Sequence, residues 1–141
     1  MAKPLSPQAR RLLDDANFGH LATLMPDGAP KVEPVWVGRE GDQVIITSDA
    51  RSMKVMNITR DDRVALSVID FADPYEQLLI RGRVCEIRED PELEVLDRFS
   101  RNYLDRPFPR RSWTSRVVLV IEPSLVRHYR STLSDPRTTR P

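Results

Sequence analysis

Hydroxyl and cationic side chains collect in the stretch TSDARSMKVMN, which follows the apolar run QVII. The pattern predicts the end of a strand that turns into a helix. Thr47 and Ser48 place two hydroxyl groups at this junction. In a helix that begins near Arg51, the side chains of Arg51, Lys54 and Asn57 are three residues apart and share one face. Unpaired backbone N–H groups at a helix start attract anions, so the junction predicts either an anion site or an ordinary solvated cap.

A second group of cations lies between residues 98 and 116, where six arginines stand against one acidic residue, Asp105. Arg110 and Arg111 are adjacent within this group, two residues before Trp113. Such a local excess of positive charge could bind the acidic tail of a ligand. It could equally form a solvated face of a helix and loop, and the residue types leave both interpretations open.

The common catalytic and metal-binding patterns are missing from the sequence. His20 and His128 are far apart and lack the close spacing typical of metal ligands. Ser48 and Ser52 have no GxSxG-like context for nucleophilic hydrolysis. Cys85 stands alone in a predicted strand, which is typical of a packing residue. If the protein is an enzyme, we therefore expect a cofactor to carry the chemistry, and we assign no catalytic residue and no metal ligand.

Composition places the chain among single-domain proteins of the cell interior. Its 141 residues and 16.2 kDa suffice for one domain with a real core. Lys and Arg total 22 against 21 Asp and Glu, so no overall field favours a nucleic acid or a membrane surface. A single cysteine excludes an internal disulfide framework, and no apolar run is long enough to span a membrane. We expect a soluble cytoplasmic protein.

Short strands joined by turns must position these candidate residues. The helix before them has Ser6 as its N-cap and Pro7 at its first position. Asp27-Gly28 predicts a hairpin, and Pro34 predicts an edge strand or a bulge. A second helix is expected to end near Arg60, and a third to follow Asp90. The predicted strands are HLATLM, KVEPVWV, QVIITS, RVALSVID, EQLLIRGRVCEI and RVVLVIEP.

These elements predict a mainly β (α+β) domain, an antiparallel six-stranded barrel with flanking helices, over residues 1–130. Residues 131–141 are expected to form a flexible C-terminal tail. RVALSVID and RVVLVIE are apolar on both faces, more than one small barrel can enclose. On that ground we expect a homodimer.

The ordered set GHLATLMPDGAPKVEPVWV, TSDARSMKVMNITRDDRVALSVID and DPYEQLLIRGRVCEI resembles the pyridoxamine 5'-phosphate oxidase-like proteins, the superfamily of FMN-binding split barrels. RFSRNYLDRPFPRR and RVVLVIEPSLV fit its coenzyme F420-dependent branch. The resemblance covers roughly residues 10 to 130. It implies a split β-barrel homodimer with two flavin or deazaflavin sites at the subunit interface.

The resemblance also implies which residues bind the cofactor. The strand-to-helix junction would hold its phosphate, with Asn57 supporting the turn, and the strand at Pro34, Val35 and Trp36 would lie against the tricyclic ring. Taken alone, Trp36 could equally be a core residue. Positive charge beyond the phosphate, notably Arg110 and Arg111, would meet the acidic tail of a deazaflavin. The expected cofactor-binding residues are Pro34, Val35, Trp36, Thr47, Ser48, Arg51, Lys54, Asn57, Arg110 and Arg111.

The function implied is a coenzyme F420-dependent oxidoreductase that passes hydride between the deazaflavin and a small organic substrate. Two alternatives stay open: an FMN-binding oxidoreductase of the same fold, and a non-catalytic flavin or deazaflavin carrier. A deep pocket beside the ring, with a polar group to anchor a substrate, would favour the enzyme. An occluded ring face would favour the carrier. Nucleic-acid binding is disfavoured because the arginines lack regularly interleaved aromatic residues.

Overall fold

A computed structural model describes residues 2–131, which form three helices and seven strands. The helices span Pro7–Asp14 (α1), Met53–Arg60 (α2) and Glu94–Leu104 (α3). The strands span Phe18–Leu24 (β1), Pro30–Trp36 (β2), Gly38–Glu40 (β3), Gln43–Asp49 (β4), Arg63–Ile69 (β5), Glu76–Glu89 (β6) and Arg116–Arg130 (β7). Apart from Ser131, the predicted tail lies outside the described residues. Within the described part of the chain, no helix is long and apolar enough to cross a membrane.

The strands form one antiparallel sheet in the order β2-β1-β5-β6-β7-β4-β3. β2 and β3 stand at opposite ends of this order, yet only Val37 separates them along the chain. The sheet must therefore curl until its two edges meet, which gives a split barrel. The predicted fold class is confirmed. The structure adds a seventh strand, the three-residue β3, which is too short to show an alternating pattern in the sequence.

The structure shows the turns and caps that the local sequence signals predict. The Ser6 side chain accepts a hydrogen bond from the Ala9 N–H at 3.1 Å and so caps α1. Gly28 adopts a φ of 86° in the turn between β1 and β2, a conformation that glycine tolerates without strain. Pro34 lies on an edge strand, as expected from its missing N–H.

Apolar residues cover both faces of the β4–β7 pair within one chain. One face, with Ile46 and Leu119, lies in the barrel core, and the other packs under α3. The outer cluster consists of Ile45, Phe99, Val118 and Val120, with Trp36 and Val95 against it. The two apolar faces of RVVLVIE are thus both buried without a partner, so this strand is no evidence for a dimer. The expectation that it needed a second subunit was wrong because the helix α3 supplies the cover.

Two helices begin later than the sequence pattern suggested. α2 begins at Met53 with Ser52 as its N-cap, whose side chain accepts from the Val55 N–H. Arg51 therefore precedes the helix. α3 begins at Glu94, where the carboxylate of Asp90 accepts hydrogen bonds from the backbone N–H groups of the first turn. The α2 helix starts directly after its capping serine, whereas the N-cap residue of α3, Leu93, makes no side-chain capping bond and the Asp90 carboxylate accepts these bonds from three residues further back.

Candidate functional site

A cavity of about 370 Å³ opens on the outer side of the sheet, between β2, β4, β7 and α3. Its volume is within the range of roughly 300–1,000 Å³ usual for small-molecule sites. One part of its wall is aromatic and apolar, and another carries two cations and a hydroxyl group. The lining residues are Phe18, Pro34, Val35, Trp36, Thr47, Lys54, Leu96, Phe108, Trp113 and Arg116.

Lys54 brings the first cation to the cavity from the opening turn of α2. Its side chain is 14% exposed, and its Nζ lies 3.7 Å from Oε1 of Glu33. The same carboxylate oxygen lies 3.1 Å from Nζ of Lys31. Burial lowers the pKa of Lys54, and the Glu33 carboxylate partly opposes that shift. A single carboxylate shared by two lysines leaves Lys54 able to bind a further anion.

Arg116 brings the second cation from the start of β7. The residue is 8% exposed, and its Nη2 donates to the Thr47 hydroxyl at 2.9 Å. The guanidinium carbon lies 4.3 Å from the ring centroid of Trp113, a cation–π contact. Burial lowers the pKa of Arg116, although a guanidinium keeps its positive charge in proteins. Its buried Nε has no hydrogen-bond partner among the described residues.

Asp49, at the end of β4, fixes the loop that closes the cavity. Its carboxylate accepts hydrogen bonds from the Trp113 indole N–H and from the Ser115 hydroxyl. It also accepts from the side chain and backbone of Arg51, and these bonds hold the pKa of Asp49 well below its usual range. Asp49 stays ionised at neutral pH and therefore positions the indole ring rather than transferring a proton.

Aromatic rings form the apolar wall. Trp36 stacks on Tyr103 with ring centroids 5.0 Å apart and planes 11° apart, and Phe108 meets Trp36 edge-on at 6.3 Å. The Tyr103 hydroxyl accepts a hydrogen bond from the Val37 N–H at 2.9 Å and donates to the carbonyl of Asn17. Burial raises the pKa of Tyr103, so its hydroxyl stays protonated. The ring stack fixes Trp36 as a rigid wall of the cavity.

The structure brings five of the ten expected binding residues together around this cavity: Pro34, Val35, Trp36, Thr47 and Lys54. Ser48 points the other way, because successive side chains of a strand lie on opposite faces of the sheet. It is buried, and its hydroxyl lies 2.8 Å from that of Ser52 at the start of α2. In this structure Ser48 supports the helix cap and does not line the cavity.

Arg51 and Asn57 also lie away from the cavity. The Arg51 side chain is 78% exposed and is paired with Asp49, because α2 begins after it. The expected shared face of residues 51, 54 and 57 is therefore wrong. Asn57 is fully buried and donates to the Thr23 hydroxyl at 3.1 Å, which attaches α2 to β1. Asn57 was expected to support the strand-to-helix turn, whereas the structure shows it bonded to β1.

The two adjacent arginines differ in what they contact. The guanidinium carbon of Arg110 lies 4.3 Å from the Trp113 ring centroid, at the edge of the cavity. Arg111 turns away and forms a two-pronged ion pair with Asp97, with N–O distances of 2.5 and 3.0 Å. Asp97 also accepts the Phe108 N–H at 3.0 Å. Arg111 therefore holds the loop that carries Phe108, and its charge is already paired.

Sequence reasoning did not assign five lining residues: Phe18, Leu96, Phe108, Trp113 and Arg116. Arg116 was noted only as one of six arginines. The pairing of β4 with β7 brings Asp49 opposite Arg116 and Ser48 opposite Val117. The spacing of residues along the chain does not predict the contact between Thr47 and Arg116, because they are 69 residues apart. Trp113, three residues before a predicted buried strand and among arginines, was the one available signal.

Comparison with known proteins adds a family and solved relatives. A solved F420 reductase is 33% identical to this chain, covers 84% of it and 94% of its own length, and superimposes with a TM-score of 0.77. A conserved hypothetical protein from Mycobacterium tuberculosis is 20% identical over 96% of both chains, with a TM-score of 0.72. General stress protein 26 from Bacillus anthracis is 20% identical over 91% of this chain and 96% of its own, with a TM-score of 0.69. The last two show the fold alone.

No curated protein matches the chain. The family profile described as pyridoxamine 5'-phosphate oxidase matches residues 5–130, nearly the whole of the described fold. The matched range includes every residue that lines the cavity, from Phe18 in β1 to Arg116 in β7. The chain therefore belongs to the pyridoxamine 5'-phosphate oxidase family of split barrels.

Proposed function

We propose that this protein binds coenzyme F420 in the cavity and acts as a deazaflavin-dependent oxidoreductase. The observation that carries the proposal is a cavity with an aromatic wall beside two cations that are largely shielded from solvent, in a chain 33% identical to an F420 reductase. FMN shares a tricyclic ring and a phosphate with the deazaflavin, so the same cavity makes FMN the alternative ligand.

The residues present fit the phosphate of such a coenzyme. Lys54, Arg116 and the Thr47 hydroxyl line the same cavity, and Nη2 of Arg116 donates to that hydroxyl. Charge-assisted hydrogen bonds to phosphate oxygens are the natural partners of these groups. We expect Lys54 and Arg116 to hold the phosphate, with Thr47 positioning the Arg116 side chain.

The remaining lining residues would orient the ring. Pro34, Val35 and Trp36 present an edge strand and an indole whose orientation the Tyr103 stack fixes. When bound, the coenzyme supplies the hydride chemistry. The protein orders the ring and excludes water, contributions that account for much of catalysis by cofactor enzymes. Its own side chains need not supply a catalytic acid.

We further propose that the active form is a homodimer, as the family resemblance implies. Large apolar side chains stay exposed in the single chain, among them Phe71 at 76%, Val32 at 66% and Phe18 at 44%. Phe18 lines the cavity, and its ring centroid lies 6.4 Å from that of Phe71. A partner that covered this surface would also complete the cavity wall. Sedimentation at micromolar concentration should give one species of twice the chain mass, and a stable monomer would contradict the shared site.

Fluorescence titration with coenzyme F420 and with FMN at two ionic strengths tests the ligand. We expect tighter F420 binding at low salt, because the tail beyond its phosphate carries several carboxylates that Arg110 can meet at the cavity edge. Exposed pairs contribute only about 0–1 kcal/mol each and are screened by salt, so the preference should shrink at high salt. Arg110→Ala should reduce it, whereas Arg111→Ala, whose charge is paired with Asp97, is the matched control. Tighter FMN binding at low salt would favour the flavin alternative.

A second measurement separates the enzyme from the carrier. Reduced coenzyme F420 bound to the protein is mixed without oxygen with a set of electron-poor organic acceptors, and its reoxidation is followed by absorbance. Reoxidation faster than for free coenzyme supports the oxidoreductase. Protection of the reduced coenzyme against every acceptor would support the carrier.

A further inference from the structure

Glu33 places a negative charge against the cation that would bind the coenzyme phosphate. Its Oε1 lies 3.7 Å from Nζ of Lys54, which lines the cavity, and 3.1 Å from Nζ of Lys31, which does not. Lys31 and Glu33 are two residues apart on β2, so their side chains share one face of the strand. Both the Lys54 and Glu33 side chains are shielded from solvent, with exposures of 14% and 28%.

An anion that approaches Lys54 therefore comes within a few ångströms of a carboxylate. At such a distance, in a partly buried site, the repulsion between like charges is a substantial fraction of the attraction to the lysine. The cost grows with each negative charge on the phosphate. A carboxylate in this position penalises a doubly charged phosphate more than a singly charged one.

The two candidate coenzymes differ in this charge. The phosphate of coenzyme F420 is esterified on both sides, since the chain continues past it into lactate and glutamates, and it carries one negative charge. The phosphate of FMN is a monoester whose second ionisation occurs near pH 6, so it carries nearly two charges at neutral pH.

We infer that Glu33 is a specificity-determining residue that makes the cavity select a singly charged phosphodiester over a doubly charged phosphomonoester. Lys31 lies against the same carboxylate oxygen and partly neutralises its charge, which sets the strength of this selection. The inference rests on the proposed function, because it deepens the choice of ligand at the same site.

Other charged groups also stand around the cavity. Arg116 and Lys54 line it, Arg110 lies at its edge, and Asp49 is tied to Arg51. Asp90, which also acts on Arg116, accepts hydrogen bonds from the first turn of α3. The Glu33 carboxylate raises the pKa of Lys54, so Glu33→Gln removes that influence on Lys54 and leaves the other groups in place.

The test compares Glu33→Gln with the unaltered protein in titrations with coenzyme F420 and with FMN at physiological salt, where charges in the F420 tail are screened. At pH 8 the substitution should tighten FMN binding by roughly tenfold more than F420 binding, the size of one like-charge contact at this range. At pH 5.5, where most of the FMN phosphate is singly charged, the difference between the two gains should shrink. Lys31→Gln should act in the opposite direction and weaken FMN more than F420.

The outcomes separate the two proposals. Equal gains for both coenzymes at pH 8, or no gain for either, would overturn the role of Glu33 while leaving the coenzyme site intact. If Lys31→Gln binds FMN better relative to coenzyme F420, that result would also overturn the role of Glu33. This test remains available if Glu33→Gln fails to fold. Absence of binding by either coenzyme to the unaltered protein would instead refute the proposed function, and with it this inference.

Discussion

Arg116 offers the sharpest test, because binding and folding should respond to its removal in different ways. In Arg116→Met the unbranched side chain can still fill the space of the arginine stem. The substitution removes a hydrogen bond to Thr47 that contributes about 1 kcal/mol and a cation–π contact with Trp113 that contributes up to about 2 kcal/mol.

The same substitution removes an unfavourable feature of the free protein. The buried Nε of Arg116 has no partner among the described residues, and an unsatisfied buried donor costs about 1–3 kcal/mol. These contributions nearly cancel, so the free energy of unfolding should change by no more than about 1–2 kcal/mol. Binding has no such compensation. Loss of a hydrogen bond to a charged group costs about 1.5–3 kcal/mol, which is a loss of coenzyme affinity of roughly 10- to 150-fold.

Urea unfolding without ligand and fluorescence titration with coenzyme measure the two effects separately. Because bound ligand stabilises the native state by mass action, saturating coenzyme should raise the melting temperature of the variant less than that of the unaltered protein. Arg83→Met is the matched control, since Arg83 is an exposed arginine paired with Asp62 and outside the cavity. A loss of more than about 3 kcal/mol in stability with unchanged affinity would show that Arg116 is a structural cation and not a ligand.

Three further predictions concern neighbouring residues. Lys54→Ala should weaken coenzyme binding by roughly 10- to 150-fold with little change in stability, and unchanged affinity in a titration would refute its phosphate role. Arg111→Ala should lower the free energy of unfolding, because Asp97 loses its charged partner. That partner lowers the pKa of Asp97 below its ordinary value of 3.8, so the stability it provides is present above pH 4 and lost as the pH falls through the lower folded value. Melting curves from pH 2 to 7 should accordingly show a smaller acid loss in Arg111→Ala, and an unchanged acid limb would contradict the pairing. Asp49→Asn should weaken the hydrogen bonds that hold Trp113 and Arg51, with a change in indole fluorescence that Asp62→Asn does not reproduce.

The sequence by itself determined the features that depend on neighbouring residues. The cap at Ser6, the turn at Gly28 and the edge position of Pro34 follow from the backbone chemistry of those residues, and the structure confirms each. The alternating strands predicted the fold class for the same reason, since a period of two is a local property. Gly82 in mid-strand is a further local sign of this kind, because an added Cβ there would clash with the Glu122 carbonyl oxygen.

Only the tertiary structure decided which polar groups share the cavity. Thr47 and Ser48 are chemically alike, and the pairing of β4 with β7 alone settles that Thr47 meets Arg116 while Ser48 faces the core. Arg110 and Arg111 are adjacent, yet Arg111 pairs with Asp97 of α3, whereas Arg110 lies over the Trp113 ring. A charge has no preferred partner until packing brings one within hydrogen-bond distance and removes the competing water. The strands and turns can therefore be predicted from neighbouring residues, whereas the binding residues depend on contacts between segments that are far apart in sequence.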